Sequence, residues 1–260
     1  MFAEERQSKI YEIIYQQQTV KVTELSRLLD ISEATIRRDL DEMQLQNMII
    51  RTHGGAMLAY SVGRPINSVE LMAKDVELKH RIATVAYEHI KDHDTLILDS
   101  SSTVYELARL IASEQRTNLR IITTSLLVVQ TLANCKSYKV MIIGGEVNYS
   151  HNTVEGYVAS NSIKQIRVDK SFMGINGIDE NFGFSTPRYE DAEIKTQMVN
   201  SAVESFILAD HTKFNKVYLV KVEAPVTCLI TDTQITGFSY EMINEDLEII
   251  FADKYQMPQL

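Results

Sequence analysis

Residues 31–40 read ISEATIRRDL and predict the third helix of a small N-terminal domain. Ser32 can cap this helix, because its side-chain oxygen can accept a hydrogen bond from an open backbone N–H of the first turn. Ile36, Leu40 and Met43 follow the i, i+4, i+7 spacing and are therefore expected on one face, directed toward a core. The opposite face then carries small, hydroxyl and cationic side chains: Ala34, Thr35, Arg37 and Arg38.

The segments around this helix complete a small motif. Apolar residues at helical spacing predict a first helix over residues 4–17. Thr23 can cap a second helix that runs to Asp30. Two short apolar pieces, residues 48–50 and 56–58, flank Gly54 and predict a β-hairpin. Three helices followed by a hairpin form a winged helix-turn-helix, which places the start of its third helix in the major groove of DNA.

The charge of the chain is a warning against assigning DNA binding from composition. The net charge is −9, and residues 1–60 carry 7 Lys+Arg against 9 Asp+Glu. The chain is therefore not basic overall, and any contact with DNA must come from a few well-placed cations. Arg38 has a structural alternative, because it can pair with Asp41 or Glu42 on its own helix.

The remainder of the chain predicts a larger α/β domain. Residues 59–67 contain Gly63 and Pro65 and are expected to be a linker between residues 1–58 and residues 68–260. A long helix is expected from about Val69 to Ile90. After it, helices such as Val104–Ala112 and Glu190–Val203 alternate with apolar strands, which is typical of a mainly parallel sheet. The buried strands are expected at 95–98, 119–123, 139–143, 170–175, 205–209 and 226–230, with a last strand at 247–252.

A hydroxyl-rich loop, Asp99–Thr103, follows the first of these strands and opens a helix. Backbone N–H groups at a helix N-terminus attract anions, and in parallel sheets ligands bind at the carboxyl ends of the strands. This loop is therefore a candidate anion site, and the alternative is an ordinary helix cap in a serine-rich loop. Thr123–Ser125 and the pair Gly144-Gly145 follow the next two strands and are candidates for the same edge.

The N-terminal motif resembles the signature of the DeoR family of bacterial transcription regulators. The resemblance covers residues 31–40 and the run RTHGGA at 51–56. Further segments resemble the sensor domain of that family, including YEDAEIK at 189–195 and DHTKF at 210–214. The chain departs from the family pattern at Asn47 and Ser101, where glycine is usual. The resemblance implies a winged helix-turn-helix followed by an α/β domain related in fold to ribose-5-phosphate isomerase and glucosamine-6-phosphate deaminase.

The resemblance also implies a function. It implies a repressor of sugar-metabolism genes, not an enzyme, that a phosphorylated sugar releases from double-stranded operator DNA. The protein is expected to form a homodimer or homotetramer, which would hold two helix-turn-helix units at operator spacing. The expected DNA contacts are Thr23, Ser32, Ala34, Thr35, Arg37, Arg38, Arg51 and His53. The expected effector contacts are Asp99, Ser100, Ser101, Ser102, Thr103, Thr123, Thr124, Ser125, Gly144, Gly145 and Lys213, with Lys213 as a cation near the ligand and Asp99 as an acceptor for its hydroxyls.

The sequence does not indicate a membrane, secreted or metal-binding protein. No apolar run approaches the roughly 18 residues of a membrane span, and no signal peptide is evident, so a cytoplasmic location is expected. Cys135 and Cys228 are expected to be buried thiols. His89 and His93 are four residues apart without a third ligand, so no metal site is expected. No P-loop or dinucleotide-binding glycine pattern is present, and no cofactor is expected.

Two alternative functions remain open at this stage. One is an active sugar-phosphate isomerase or deaminase, with Asp99, Asp179 and Glu190 as candidate acids or bases. The other is a sugar-phosphate-binding protein whose N-terminal helices make only protein contacts.

Overall fold

The structure is a computed structural model that describes residues 3–17, 19–45, 49–52, 54–58, 71–72, 74–113 and 116–255. The chain divides into two compact units, Met1–Val62 and Gly63–Leu260. The predicted linker at 59–67, together with Asn47 and His53, lies outside the described residues, as does the beginning of the helix predicted from Val69.

The first unit contains three helices and a small sheet. The helices are α1 (Ala3–Gln17), α2 (Val22–Leu29) and α3 (Glu33–Leu45). The strands β1 (Thr19–Lys21), β2 (Ile49–Thr52) and β3 (Gly55–Leu58) are antiparallel in the order β1-β3-β2. Gly54, in the turn before β3, has a φ of +99°, which glycine adopts without strain. The architecture is the predicted winged helix-turn-helix, with a core of Ile10, Ile14, Val20, Val22, Leu25, Ile36, Leu40, Met43, Ile49 and Ala56.

Of the two predicted helix caps in this unit, one is present. The side-chain oxygen of Ser32 accepts a hydrogen bond from the backbone N–H of Thr35 at 3.3 Å, which confirms the predicted cap of α3. The predicted cap at Thr23 is wrong, because α2 begins at Val22, two residues earlier than a cap at Thr23 implies, and its N-cap is Lys21. The N–H of Val22 donates to the carbonyl of Gly54 at 2.9 Å, so the hairpin satisfies the first amide of α2 and Thr23 lies exposed in the first turn.

The second unit is built on a seven-stranded sheet in which every pairing is parallel, with the order β15-β14-β12-β9-β4-β5-β6. Its strands are β4 (Thr95–Leu98), β5 (Arg120–Thr123), β6 (Lys139–Ile142), β9 (Val168–Gly174), β12 (Ala202–Leu208), β14 (Cys228–Thr231) and β15 (Glu248–Phe251). Its described helices are α4 (Val76–Glu88), α5 (Ser102–Ser113), α6 (Leu126–Leu132), α7 (Tyr157–Lys164) and α8 (Tyr189–Ser201). The predicted helix-strand alternation is confirmed.

Shorter strands lie outside the main sheet. β7 (Glu146–Asn148) and β8 (Thr153–Glu155) form an antiparallel hairpin. β10 (Gly177–Asp179), β11 (Gly183–Thr186) and β13 (Val220–Lys221) form a small antiparallel sheet in the order β10-β11-β13.

Helices cover both faces of the main sheet. Side chains alternate between the faces of a strand, so Leu96 and Leu98 of β4 pack with α4, α5 and α6, whereas Ile97 packs with α7 and α8. The predicted α/β class is therefore confirmed. The expectation that residues 139–143 form a buried strand is wrong, because β6 is the last strand of the sheet and leaves Met141 and Ile142 exposed. Within the described residues, no helix has both the length and the apolar character needed to cross a membrane.

Candidate functional site

The outward face of α3 has the composition expected from the sequence. Ile36, Leu40 and Met43 are completely buried. Ala34 and Arg38 are exposed on the other side. The angular assignment of this helix is therefore confirmed, and its exposed N-terminal half presents small, hydroxyl and cationic groups.

The arginines on and beside α3 have different partners. Arg37 pairs with Glu33 at 3.0 Å on the same helix. Arg51 pairs with Asp41 at 3.0 Å and also donates to the carbonyl oxygen of Arg37 at 3.0 Å. Arg38 forms no ion pair with any described residue. The intrahelical pairing proposed as an alternative for Arg38 is therefore not formed, and its guanidinium is the available one on this face.

Asp39, next to Arg38, is a buried anchor that the sequence analysis missed. Its side chain is 2% exposed and accepts two hydrogen bonds from Arg6 of α1, at 2.5 and 2.8 Å. This bidentate pair ties α1 to α3 and fixes the direction of the exposed residues on either side of Asp39. A separation of 33 residues leaves no local sequence signal for the contact.

A cavity of about 240 Å³ lies at the carboxyl ends of the central strands of the second unit. Its size is slightly below the roughly 300–1,000 Å³ typical of ligand pockets, so it suits a small ligand. The wall comes from the loops after β4 and β9, the end of β12, the β7–β8 turn and the start of α8. The lining residues are Leu71, Met72, Ser100–Thr103, His151, Gly174–Asn176, Pro187, Arg188, Asp191, Lys195, Leu208, Lys213 and Tyr218.

The loop Ser100–Thr103 gives the cavity its hydrogen-bonding capacity. Ser101 caps α5, because its side-chain oxygen accepts from the N–H of Val104 at 3.4 Å. The hydroxyls of Ser100, Ser102 and Thr103 make no hydrogen bond within the part of the chain that the structure describes, although Thr103 is only 5% exposed. These hydroxyls and the N-terminus of α5 can therefore serve an anionic ligand.

A buried ion-pair network supports this loop from below. Asp99 accepts hydrogen bonds from the N–H of Ser101 at 2.8 Å and of Gly174 at 2.9 Å, and from Nζ of Lys195 at 2.7 Å. Nζ of Lys195 also lies 3.2 Å from Asp191. Burial alone would lower the pKa of Lys195, but the carboxylates of Asp191 and Asp99 outweigh burial and hold that pKa above its ordinary value.

Lys213 lines the cavity and brings a positive charge to it. Lys213 forms no ion pair in the described part of the chain. Burial and the nearby charge of Lys213 lower the pKa of Lys216 to about 8. Burial would raise the pKa of Asp210, but Lys213 and the hydrogen bonds of Thr212 lower it. An anion near Lys213 would relieve the repulsion between the two ammonium groups.

Two polar residues that line the cavity, Arg188 and His151, were missed by the sequence analysis. Arg188 makes a two-pronged ion pair with Glu155 of β8, at 2.6 and 2.9 Å. Burial, followed by the charge of Arg188, lowers the pKa of His151 below its ordinary value. Asp191 and Lys195 also line the cavity, and their i, i+4 spacing on α8 was the available sequence signal for them.

Several predicted effector residues are not among those that line the cavity. Thr123 is buried, and its hydroxyl donates to the carbonyl of Leu98 at 2.7 Å. Thr124 is also buried, and Ser125 is the N-cap of α6. Gly144 and Gly145 lead into β7 instead. Asp99 supports the loop from below, with its oxygens occupied by the groups described above. Of the predicted effector residues, Ser100–Thr103 and Lys213 are the ones that line the cavity together.

The residues considered for catalysis are not poised in the cavity. Both backbone donors to Asp179 come from its own turn, the N–H groups of Asn181 and Phe182. Glu190 is exposed at the start of α8. Neither residue lines the cavity, and Asp99 is held by Lys195.

Comparison with known proteins identifies relatives of both units. A family described as the DeoR-like helix-turn-helix domain matches residues 6–62, and the DeoR C terminal sensor domain matches residues 74–233. The chain is 32% identical over 254 residues to the lactose phosphotransferase system repressor of Lactococcus lactis subsp. lactis, covering 95% of this chain and 98% of that protein. It is also 32% identical over 219 residues to the glycerol-3-phosphate regulon repressor of Escherichia coli (strain K12), covering 84% and 85%.

Among solved structures, ribose 5-phosphate isomerase A of Methanocaldococcus jannaschii is similar at 18% identity and a TM-score of 0.38, over 55% of this chain and 56% of that one. The similarity to the regulators is much higher and extends over both units. The sensor-domain match alone spans more than half of the 260 residues. The chain therefore belongs to the DeoR family and is a DNA-binding transcription regulator, not an enzyme.

Proposed function

We propose that this regulator represses sugar-metabolism genes and leaves its operator when a phosphorylated sugar occupies the cavity of the second unit. The observation that carries the proposal is that one small cavity brings together a helix N-terminus, three hydroxyls without a hydrogen bond to a described residue, and Lys213, which has no ion pair with a described residue. The names of the two relatives, a lactose phosphotransferase system repressor and a glycerol-3-phosphate regulon repressor, support the same class of effector. In this proposal the protein acts in the cytoplasm as a homodimer or homotetramer.

In this proposal the phosphate lies at the loop Ser100–Thr103, and the sugar extends toward Asn176 and Asp191. A phosphate there would meet the positive end of the α5 dipole, the hydroxyls of Ser100, Ser102 and Thr103, and Lys213. Asn176 and Asp191 can hydrogen-bond to sugar hydroxyls, because both line the cavity. Asp99 would then position the loop and contribute nothing to the ligand directly.

The operator contacts are placed on α3 and the hairpin. We assign residues 1–58 to DNA reading, 59–67 to the linker and 68–260 to sensing. Within residues 1–58, the exposed Ala34 and Arg38 would approach base edges. Ser32 and Thr35 would contact the adjacent DNA backbone. Arg37, Arg51, Thr23 and His53 are proposed to contact phosphates.

Replacing Arg38 with alanine is expected to weaken operator binding without changing the fold. Arg38 is exposed and forms no ion pair with a described residue, so its loss leaves no buried partner behind. Loss of a bidentate base contact costs about 1–3 kcal/mol, which is roughly 5- to 150-fold in affinity. Fluorescence anisotropy with an operator duplex measures the change. Arg81→Ala, which removes one exposed arginine from α4, is the control for charge; equal affinities of the two variants would contradict the assignment.

Replacing Thr103 with valine is expected to reduce effector affinity while preserving stability. The substitution keeps the shape of the side chain and removes one hydroxyl that has no protein partner among the described residues. A hydrogen bond to a charged group contributes about 1.5–3 kcal/mol, so affinity should fall by about one to two orders of magnitude. Thermal shifts with a panel including fructose 1-phosphate and tagatose 6-phosphate measure it. Thr84→Val is the control on α4, and an unchanged effector affinity of Thr103→Val would move the phosphate elsewhere.

A further inference from the structure

We propose that Lys79 transmits occupation of the cavity to the segment 71–74, through which the sensing unit connects to the DNA-reading unit; this inference rests on the proposed function. Leu71 and Met72 line the cavity together with the loop Ser100–Thr103 and Lys213. Residues near the start of the second unit, Leu71 and Met72, therefore contribute to the wall of the ligand site. A ligand in this cavity contacts the segment that leads to the DNA-binding domain.

Lys79 holds this segment in place. It lies in the first turn of α4, and only 4% of it is exposed. Its Nζ donates hydrogen bonds to the carbonyl oxygens of Leu71 and Lys74. Within the described residues these bonds use two of the three donors of the ammonium group, and no carboxylate pairs with it. A buried cation whose hydrogen bonds in the described structure go to carbonyl oxygens is sensitive to a charge placed nearby.

Lys213 provides the electrostatic connection to the ligand. Burial lowers the pKa of Lys79, and the charge of Lys213 lowers it further, while the carboxylates of Asp210, Asp75 and Glu106 act in the opposite direction, each individually less strongly than Lys213. A phosphate bound beside Lys213 would cancel this repulsion and stabilise the charged form of Lys79. The two carbonyl bonds would then tighten, and the segment 71–74 would become more ordered. A ligand can shift the equilibrium of the regulator only through a differential interaction of this kind.

Hydrogen exchange with inorganic phosphate as the probe tests the transmission in the full-length protein. In the wild type, phosphate is expected to slow exchange in two segments, the loop 100–104 and the segment 71–75. The first reports binding, and the second reports transmission. In Lys79→Met, protection of the loop is expected to persist and protection of 71–75 to be lost. The loss should fall in the range of about 5- to 150-fold that is typical of coupling between sites.

Matched variants separate this role from a structural one. Lys79→Arg keeps the charge and should retain transmission, and it also serves as the test if Lys79→Met does not fold. Arg81→Met removes an exposed cation from the same helix and should behave as the wild type. Protection of neither segment in the wild type would contradict the proposed phosphate site itself. Three results would overturn the role of Lys79. In the wild type, phosphate could protect the loop but not residues 71–75. Alternatively, residues 71–75 could be protected equally in Lys79→Met, or could lose their protection in Lys79→Arg.

Discussion

The variant Lys195→Met is expected to lose about 3–5 kcal/mol of unfolding free energy, the cost of removing one partner from a buried ion pair. Asp99 is 2% exposed, and Lys195 is the one cation that pairs with it among the described residues. Without Lys195, the carboxylate stays buried with only the N–H groups of Ser101 and Gly174 as donors. Urea unfolding at pH 7 measures the loss.

Two further variants make this experiment specific. In Asp99→Asn/Lys195→Met both charges are absent, so most of the lost stability is expected to return. Lys164→Met breaks an exposed pair with Glu193, in which the groups are 3.8 Å apart, and should cost no more than about 1 kcal/mol. If Lys195→Met costs no more than Lys164→Met, the network under the loop does not stabilise the fold.

The variant Gly174→Ala is expected to disrupt the same loop by crowding. A Cβ at position 174 would lie 2.5 Å from Cβ and 2.6 Å from Oγ of Ser101, closer than non-bonded atoms can approach. Ser101 must therefore move away, which weakens its cap on Val104. Overpacking of this kind costs about 1–3 kcal/mol, and we expect the thermal shift produced by sugar phosphates to disappear with it.

A second substitution in the loop should reverse this effect. Ser101→Gly removes both atoms that the new methyl group would meet, so Ser101→Gly/Gly174→Ala should be more stable than Gly174→Ala alone. Gly144→Ala is the control, because a Cβ at position 144 meets no atom within 4 Å. A Gly174→Ala protein with wild-type stability and effector response would show that the loop is not packed as described.

Periodicity in the sequence accounts for most of the fold. The spacing of Ile36, Leu40 and Met43 predicted the buried face of α3 and with it the exposed arginines. The alternation of apolar strands and helices predicted the parallel sheet, because such strands are buried on both faces. Position within the sheet has no comparable signal, and for this reason β6 was expected to be buried although it lies at an edge.

The candidate site was predictable only where it is local in sequence. The hydroxyl-rich loop Ser100–Thr103 was identified from its place between a strand and a helix. The pairs Asp99–Lys195 and Arg188–Glu155 join residues 96 and 33 positions apart, and only the folded chain brings them together. Thr123 and Ser125 follow a strand at the correct edge, yet neither lines the cavity, and their hydroxyl groups hydrogen-bond to backbone groups of Leu98 and Val128.

The central claim, that a phosphorylated sugar releases this regulator from DNA, is tested most directly by operator binding in the presence of effectors. The wild-type protein first selects a duplex from a random-sequence library, and fluorescence anisotropy then gives its affinity with each sugar phosphate and with the same sugar lacking phosphate. We expect at least one sugar phosphate to weaken binding by about 5- to 150-fold, and its unphosphorylated form to have no effect. The account would be contradicted if the protein selected no duplex. It would also be contradicted if the operator affinity changed with neither the sugar phosphate nor the unphosphorylated sugar, or equally with both.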